Sequence, residues 1–192
     1  MRPQFEQSYR SLSPDELKFL WQGAGIEGKS PRVVEYDDVM KASSIDSLFG
    51  DENCSILFYP NHSTGNQVSG HYVTLIRHIP KNPRHKPTIY FYDPYGIKPD
   101  TQKKFSRDQR EMLYKEEENT LIRLMLQSGY NVDYSDHKHQ STIPGVATCG
   151  RHSLNRCKYW FLTNDQYDQL LKHGVKKSGL KNNDDYVVSK WS

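Results

Sequence analysis

The sequence predicts an α+β protein in which a mixed, mostly antiparallel sheet packs against a helix that begins at a cysteine. Three observations carry this. Cys54-Ser-Ile-Leu-Phe-Tyr59, His71-Tyr-Val-Thr-Leu-Ile-Arg77 and Thr88-Ile-Tyr-Phe-Tyr-Asp93 are short runs of β-branched and aromatic residues bounded by turn signals. Helical patterns lie on both sides of them in the chain. A polar loop then runs through Pro144 and Gly145 into Cys149-Gly150, where Leu154, Cys157 and Phe161 fall at i, i+3 and i+7, one apolar stripe.

Taken in order, residues 1–12 read as a polar lead-in. Ser13-Pro14-Asp15-Glu16 is a helix start, with Ser13 as N-cap, Pro14 at the first helical position and Glu16 closing a capping box. Leu17, Phe19, Leu20 and Trp21 supply its apolar face, and Gly23 and Gly25 stop it. A Gly-rich, basic loop leads to a short helix from Tyr36 toward Leu48. The first strand ends at Pro60, and 61–70 is a polar loop. The Pro- and Lys-rich segment 78–87 reads as a hairpin loop, so the strands that His71 opens and Asp93 closes should bring both residues to one edge. Residues 101–128 form the longest helical pattern, with Ser106 and Gln109 as its capping box and Gly129 as its stop. Tyr130–Tyr134 alternates like a strand. Thr163 and Gln166 cap a further helix with Leu170 and Leu171 inward and Gly174 at its end; 175–185 reads as a loop and Tyr186-Val-Val as a short last element.

At 192 residues, with 35% hydrophobic and 26% charged residues, the chain is large enough for one self-sufficient core. The expected organisation is a single domain over 1–192: an N-terminal helical region (1–50), a catalytic core (54–162) and a C-terminal helix and tail (163–192). No apolar run spans a bilayer, and the N-terminus lacks the apolar centre of a signal peptide. Three cysteines form an odd, sparse set, which favours an intracellular, reducing setting over a disulfide framework. A net charge of +3 does not imply a nucleic-acid partner.

The chemistry converges on Cys149. At a helix start, unpaired N–H groups and the positive end of the macrodipole favour a thiolate. Nucleophilic acyl transfer also needs a base, a group that orients it, and donors for the oxyanion. His71 fits the base, Asp93 the orienting acid, and Gln140, with the Cys149 N–H, the oxyanion donors. Asp93 also fits a turn carboxylate, since Asp-Pro-Tyr-Gly is good turn chemistry. Cys157, on the apolar stripe, reads as core. His62 is a rival base in a loop. A different class of reading takes His137, His139, Cys149 and His152 as four zinc ligands, although their spacing matches no common finger.

The order His71…Asp93…Gln140…Cys149, with His71 opening a strand, an aromatic-acid-Pro-aromatic-Gly segment and the Thr-Cys149-Gly-Arg-His helix start, resembles the adenovirus endopeptidase (adenain) and the wider clan of ubiquitin-like-protein proteases. Within that group it looks most like the capsid-maturation proteases of virophages, Polinton-type elements and large DNA viruses. The resemblance covers about residues 54–162. It implies a papain-like or adenain-like cysteine protease fold and an endopeptidase cleaving after small residues in Gly-containing sites of viral structural precursors. Cys149, His71, Asp93 and Gln140 would serve as nucleophile, base, orienting acid and oxyanion donor. The enzyme expected is a monomer of the host cytoplasm or viral factory, also packaged in the virion and not secreted, with a protein substrate, no membrane partner, no metal and no cofactor, and a nucleic-acid partner that the residues do not support. Two features depart from the pattern. Tyr72 stands where relatives carry Trp, and the Gln140-to-Cys149 spacing is longer. The DNA and peptide cofactors of adenain are not carried over: the peptide-linking cysteine has no counterpart, and Arg84-His-Lys86, Lys103-Lys104 and Lys176-Lys177 read as solvated loops. The same site would also suit a deubiquitinase or SUMO-protease acting on a ubiquitin-like protein, or thioester acyl transfer to a side chain.

Overall fold

The computed structural model describes residues 9–27, 30–61, 69–102 and 119–192. Helix α1 (Pro14–Gly23) starts at the Ser13–Glu16 capping box with Pro14 in its first turn. Strand β1 (Arg32–Glu35) is followed by α2 (Tyr36–Lys41) and a 3-10 turn (Ile45–Leu48). Then come β2 (Cys54–Asn61), β3 (Ser69–His78), β4 (Thr88–Tyr92), α3 (Thr120–Gln127), β5 (Asn131–Tyr134), α4 (Cys149–Lys158), α5 (Asn164–Ser178) and α6 (Asn183–Lys190).

The sheet order is β1-β2-β3-β4-β5. The centre is the expected antiparallel meander, with Tyr59 opposite His71 and Thr74 opposite Tyr92. Both outer strands are parallel to their neighbours. Strand β1 was expected to be loop, and Pro60, expected to end β2, is paired with Gly70 inside the ladder.

Period-2 alternation feeds two cores, one on each face. Ile56, Phe58, Tyr72 and Ile76 pack with Leu17, Trp21, Leu154, Tyr167, Leu171 and Val187 of α1, α4, α5 and α6. Leu57, Tyr59, Val73 and Leu75 pack with Val39, Leu121, Leu124 and Met125 of α2 and α3. The result is helices on both faces of a mixed sheet.

Several sequence expectations change. Phe19 is exposed, because Leu17 and Trp21, one turn apart, are buried against the core with Leu20 packed beside them, and Phe19 falls off that face. Gly174 lies inside α5, which ends at Gly179. A Cβ at Gly174 would fall 2.6 Å from the Tyr186 ring, so this glycine serves close packing of α6 on α5. Phe161 lies beyond the end of α4 and is exposed. Helix α4 is not one-sided: every residue from Cys149 to Cys157 is buried, because α1, α5 and α6 close over it. Its arginines find partners. Arg151 donates to the carbonyls of Trp191 and Arg10 at 3.0 Å, and Arg156 donates to those of Tyr159 and Leu162 at 2.8 Å. The capping box proposed at Ser106 and Gln109 lies outside the described residues.

Cys157 is core, as expected, but it is bonded to Cys54, joining α4 to the start of β2. This corrects the reading of three reduced thiols. Cys149 is the free cysteine. Among the described residues no helix is long and apolar enough to cross a membrane.

Candidate active site

The site forms where the start of β3 meets the end of β4 and the first turn of α4. Gly70 precedes His71 because nothing larger fits. A Cβ there would lie 2.3 Å from the Tyr59 carbonyl oxygen and 2.4 Å from the Phe58 ring. That contact presses the start of β3 against β2 and fixes His71, which is buried.

The His71 Nε2–H donates to Asp93 Oδ2 at 2.9 Å. With Nε2 committed, Nδ1 is the nitrogen left for the sulfur. The Cys149 side chain lies within hydrogen-bonding reach of the imidazole, and its thiol also donates to the Gly70 carbonyl oxygen at 3.8 Å. Burial alone would lower the His71 pKa. The Asp93 carboxylate and the Cys149 side chain outweigh it and raise the value to about 10. The imidazole therefore keeps its proton at neutral pH, beside the sulfur.

Asp93 is fully buried and holds three donors. Besides His71, the Gln102 side-chain amide donates to Oδ2 at 2.8 Å, and the Tyr95 backbone N–H donates to Oδ1 at 2.7 Å. The Asp93 carbonyl also accepts from Gly96 N–H at 2.8 Å. The turn carboxylate and the imidazole partner are thus one residue.

Two residues here were not singled out from the sequence. Gln102, buried, braces the acid. Tyr95 stacks on the His71 ring at 5.0 Å between centroids and 12° between planes. The cover over the imidazole comes from this tyrosine in the Asp-Pro-Tyr-Gly turn. Tyr72 instead packs on Phe58, and its hydroxyl donates to the Leu12 carbonyl at 2.8 Å.

Gln140 is buried. Its backbone N–H donates to the Pro94 carbonyl at 2.9 Å, which ties it to the same turn. Its side-chain amide donates at 3.3 Å to the Tyr95 hydroxyl and to the Val146 carbonyl, three positions before Cys149 (149 minus 146), and its Oε1 is buried without a partner.

The three histidines of the zinc reading are engaged elsewhere. His137 pairs with Asp165 at 2.9 Å. His139 bridges the Tyr92 hydroxyl and Asp168, each at 3.0 Å, and burial pushes it down to about 4. His152 pairs with Asp184 at 3.0 Å. Among the described residues no group of three or more His, Cys, Asp or Glu side chains could hold a metal, which overturns the zinc reading. His62 lies outside the described residues.

Asp184 was also missed. It accepts from the Thr148 hydroxyl, from the Ser141 N–H at 2.9 Å and from His152. Helix α6 thereby clamps Thr148, the residue before Cys149. Burial would raise its pKa, but the hydrogen bonds from His152 and Thr148 lower it overall.

No protein-family model and no curated protein matches the chain. Solved structures to which it is similar include the following three. The first is HopZ1a in complex with IP6, at 17% identity and TM-score 0.42, covering 87% of this chain and 49% of that one. The second is the selenomethionine form of an ASFV protease, at 12% and 0.35, covering 86% and 53%. The third is the central domain of an uncharacterized protein from Legionella pneumophila, at 13% and 0.34, covering 95% and 88%. The chain spans about half the length of the first two.

Proposed function

We propose that this chain is a cysteine endopeptidase. The observation that carries the proposal is the line Asp93–His71–Cys149: a buried imidazole, held protonated by a buried carboxylate, against the one free cysteine at a helix N-terminus. The Cys149 thiolate attacks a peptide carbonyl carbon, and the carbonyl electron pair moves to oxygen. The Cys149 N–H, free at the start of α4, and the Gln140 amide stabilise that oxyanion. Gln140 gives up only two long 3.3 Å hydrogen bonds to do so. The tetrahedral intermediate collapses as His71 Nδ1–H protonates the leaving amine, giving a thioester. Neutral His71 then takes a proton from water, which attacks the thioester and regenerates the thiolate–imidazolium pair. Asp93 keeps the ring oriented throughout.

The substrate class we propose, from the resemblance alone, is Gly-containing sites after small residues in viral structural precursors, processed by a monomer in the infected cell. The test is incubation with a peptide library, with cleavage sites read by mass spectrometry. Cleavage is expected in the wild type and absent in Cys149→Ala and His71→Ala. Undiminished cleavage in either variant refutes the proposal.

A further inference from the structure

Beside the candidate active site, the segment 138–141, the later half of α5 and the start of α6 border an open recess of about 600 Å³. Its size falls within the range of small-molecule sites. Four lysines line it: Lys138 from the segment before Cys149, Lys172 and Lys176 one turn apart on α5, and Lys181 from the loop before α6.

The opposing charge is small. Lys172 is paired with Asp168 at 2.6 Å. Lys138 makes a long hydrogen bond to the Thr142 hydroxyl at 3.3 Å. Among the described residues no carboxylate pairs with Lys138, Lys176 or Lys181. Asp184 is the acid in the wall, and its oxygens are occupied by Thr148, Ser141 and His152. His139 is neutral at pH 7 and adds no charge. Three uncompensated ammonium groups thus face one concavity, where each raises the potential felt by the others. A negative occupant reverses that repulsion.

We propose that this recess binds a compact polyanion, a small molecule carrying several phosphate groups. Uncompensated ammonium groups contributed by three stretches of chain around a recess of this size match several phosphates on a small scaffold better than a single one. A nucleic-acid strand would need a basic track running beyond the recess; these lysines converge on it instead. The occupant would rest against Gln140 and Asp184, and so against the segment leading to Cys149. Its binding does not depend on the protease reading.

The test is isothermal titration of the full chain with sodium tripolyphosphate, with sodium sulfate and a short single-stranded DNA oligonucleotide as comparisons. One tripolyphosphate per chain is expected, with affinity falling as salt rises, because screening acts on exposed lysines. Lys176→Gln/Lys181→Gln should weaken binding by about tenfold or more, and Lys138→Gln, from a different stretch of chain, should weaken it too. All three side chains are exposed, so the variants should fold, which circular dichroism checks. Lys177→Gln, exposed on α5 but outside the lining, should leave binding unchanged. Absence of saturable binding overturns the proposal, as does equal binding in the lining variants. So does binding of sulfate as tight as tripolyphosphate, or binding of the oligonucleotide alone.

Discussion

Asp93→Asn is the substitution that separates charge from shape in this site. Asn has the same outline, but one of its two terminal atoms is a donor. The Tyr95 backbone N–H cannot turn away, so the Asn carbonyl oxygen faces it and the amide nitrogen faces His71 and Gln102. Gln102 can rotate to present its Oε1, which has no partner in the wild type. His71 must then accept at Nε2, which moves its proton to Nδ1, the nitrogen facing the sulfur. That tautomer cannot take the thiol proton. Without the carboxylate, burial is opposed by the Cys149 side chain alone, and the His71 pKa falls from about 10. Holding a proton at pH 7 against a pKa of about 10 corresponds to on the order of 4 kcal/mol. That agrees with the ~3–5 kcal/mol usually lost when one partner of a buried ion pair is removed. For a chain of this size it corresponds to a Tm lower by about 8–16 °C. Peptide cleavage should fall by about 10²–10⁴ while binding persists. Thermal unfolding at pH 7 and single-turnover cleavage measure the two effects. An Asn variant with wild-type Tm and wild-type cleavage would refute the reasoning.

Three further outcomes are expected. Because the His71 pKa is raised from 6.5 to about 10 in the folded chain, its contribution to stability is fully present below pH 6.5 and lost as pH rises through about 10. The difference in urea unfolding free energy between wild type and His71→Asn should therefore shrink between pH 6 and pH 10.5; a constant difference contradicts the assignment. Gly174→Ala should destabilise by about 1–3 kcal/mol through overpacking against Tyr186, although helix propensity alone would favour Ala by ~1 kcal/mol; a stabilised variant in urea unfolding counts against the packing. Thiol counting on the native, unreduced chain should find one reactive cysteine. Peptide mapping should find Cys54 joined to Cys157, and reduction should lower stability by up to about 4 kcal/mol. Three free thiols in the native chain would contradict the bridge.

What was legible in the sequence was what short-range chemistry encodes. Ser13 with Glu16 and Thr163 with Gln166 cap helices as their spacing indicates. Two strands joined by a Pro- and Lys-rich loop were enough to bring His71 to Asp93. The start of α4 at Cys149 followed from a polar loop running into an apolar stripe. What was hidden depends on partners distant in sequence. Cys54 and Cys157 carry no spacing motif and meet only because β2 lies beneath α4. Strand β1 is too short to show alternation and exists because β2 offers it an edge. Gly174 carries the usual signal of a helix stop, and only the Tyr186 ring explains why the helix continues. Gln102 and Tyr95, which complete the surroundings of His71, sit in segments whose local patterns are fully accounted for by a helix and a turn. Asp184 is one acid in a polar stretch until α6 docks beside Thr148.

The most direct measurement is the pH dependence of iodoacetamide alkylation at Cys149, followed by mass spectrometry without reductant, so that the bridged cysteines stay protected. A thiolate held by the His71 imidazolium should react at an almost constant rate from about pH 6 to pH 8, and His71→Ala should restore the steep rise of an ordinary thiol. A wild-type rate that climbs tenfold per pH unit over that range, unchanged by His71→Ala, would contradict the nucleophile pair on which the proposed function rests.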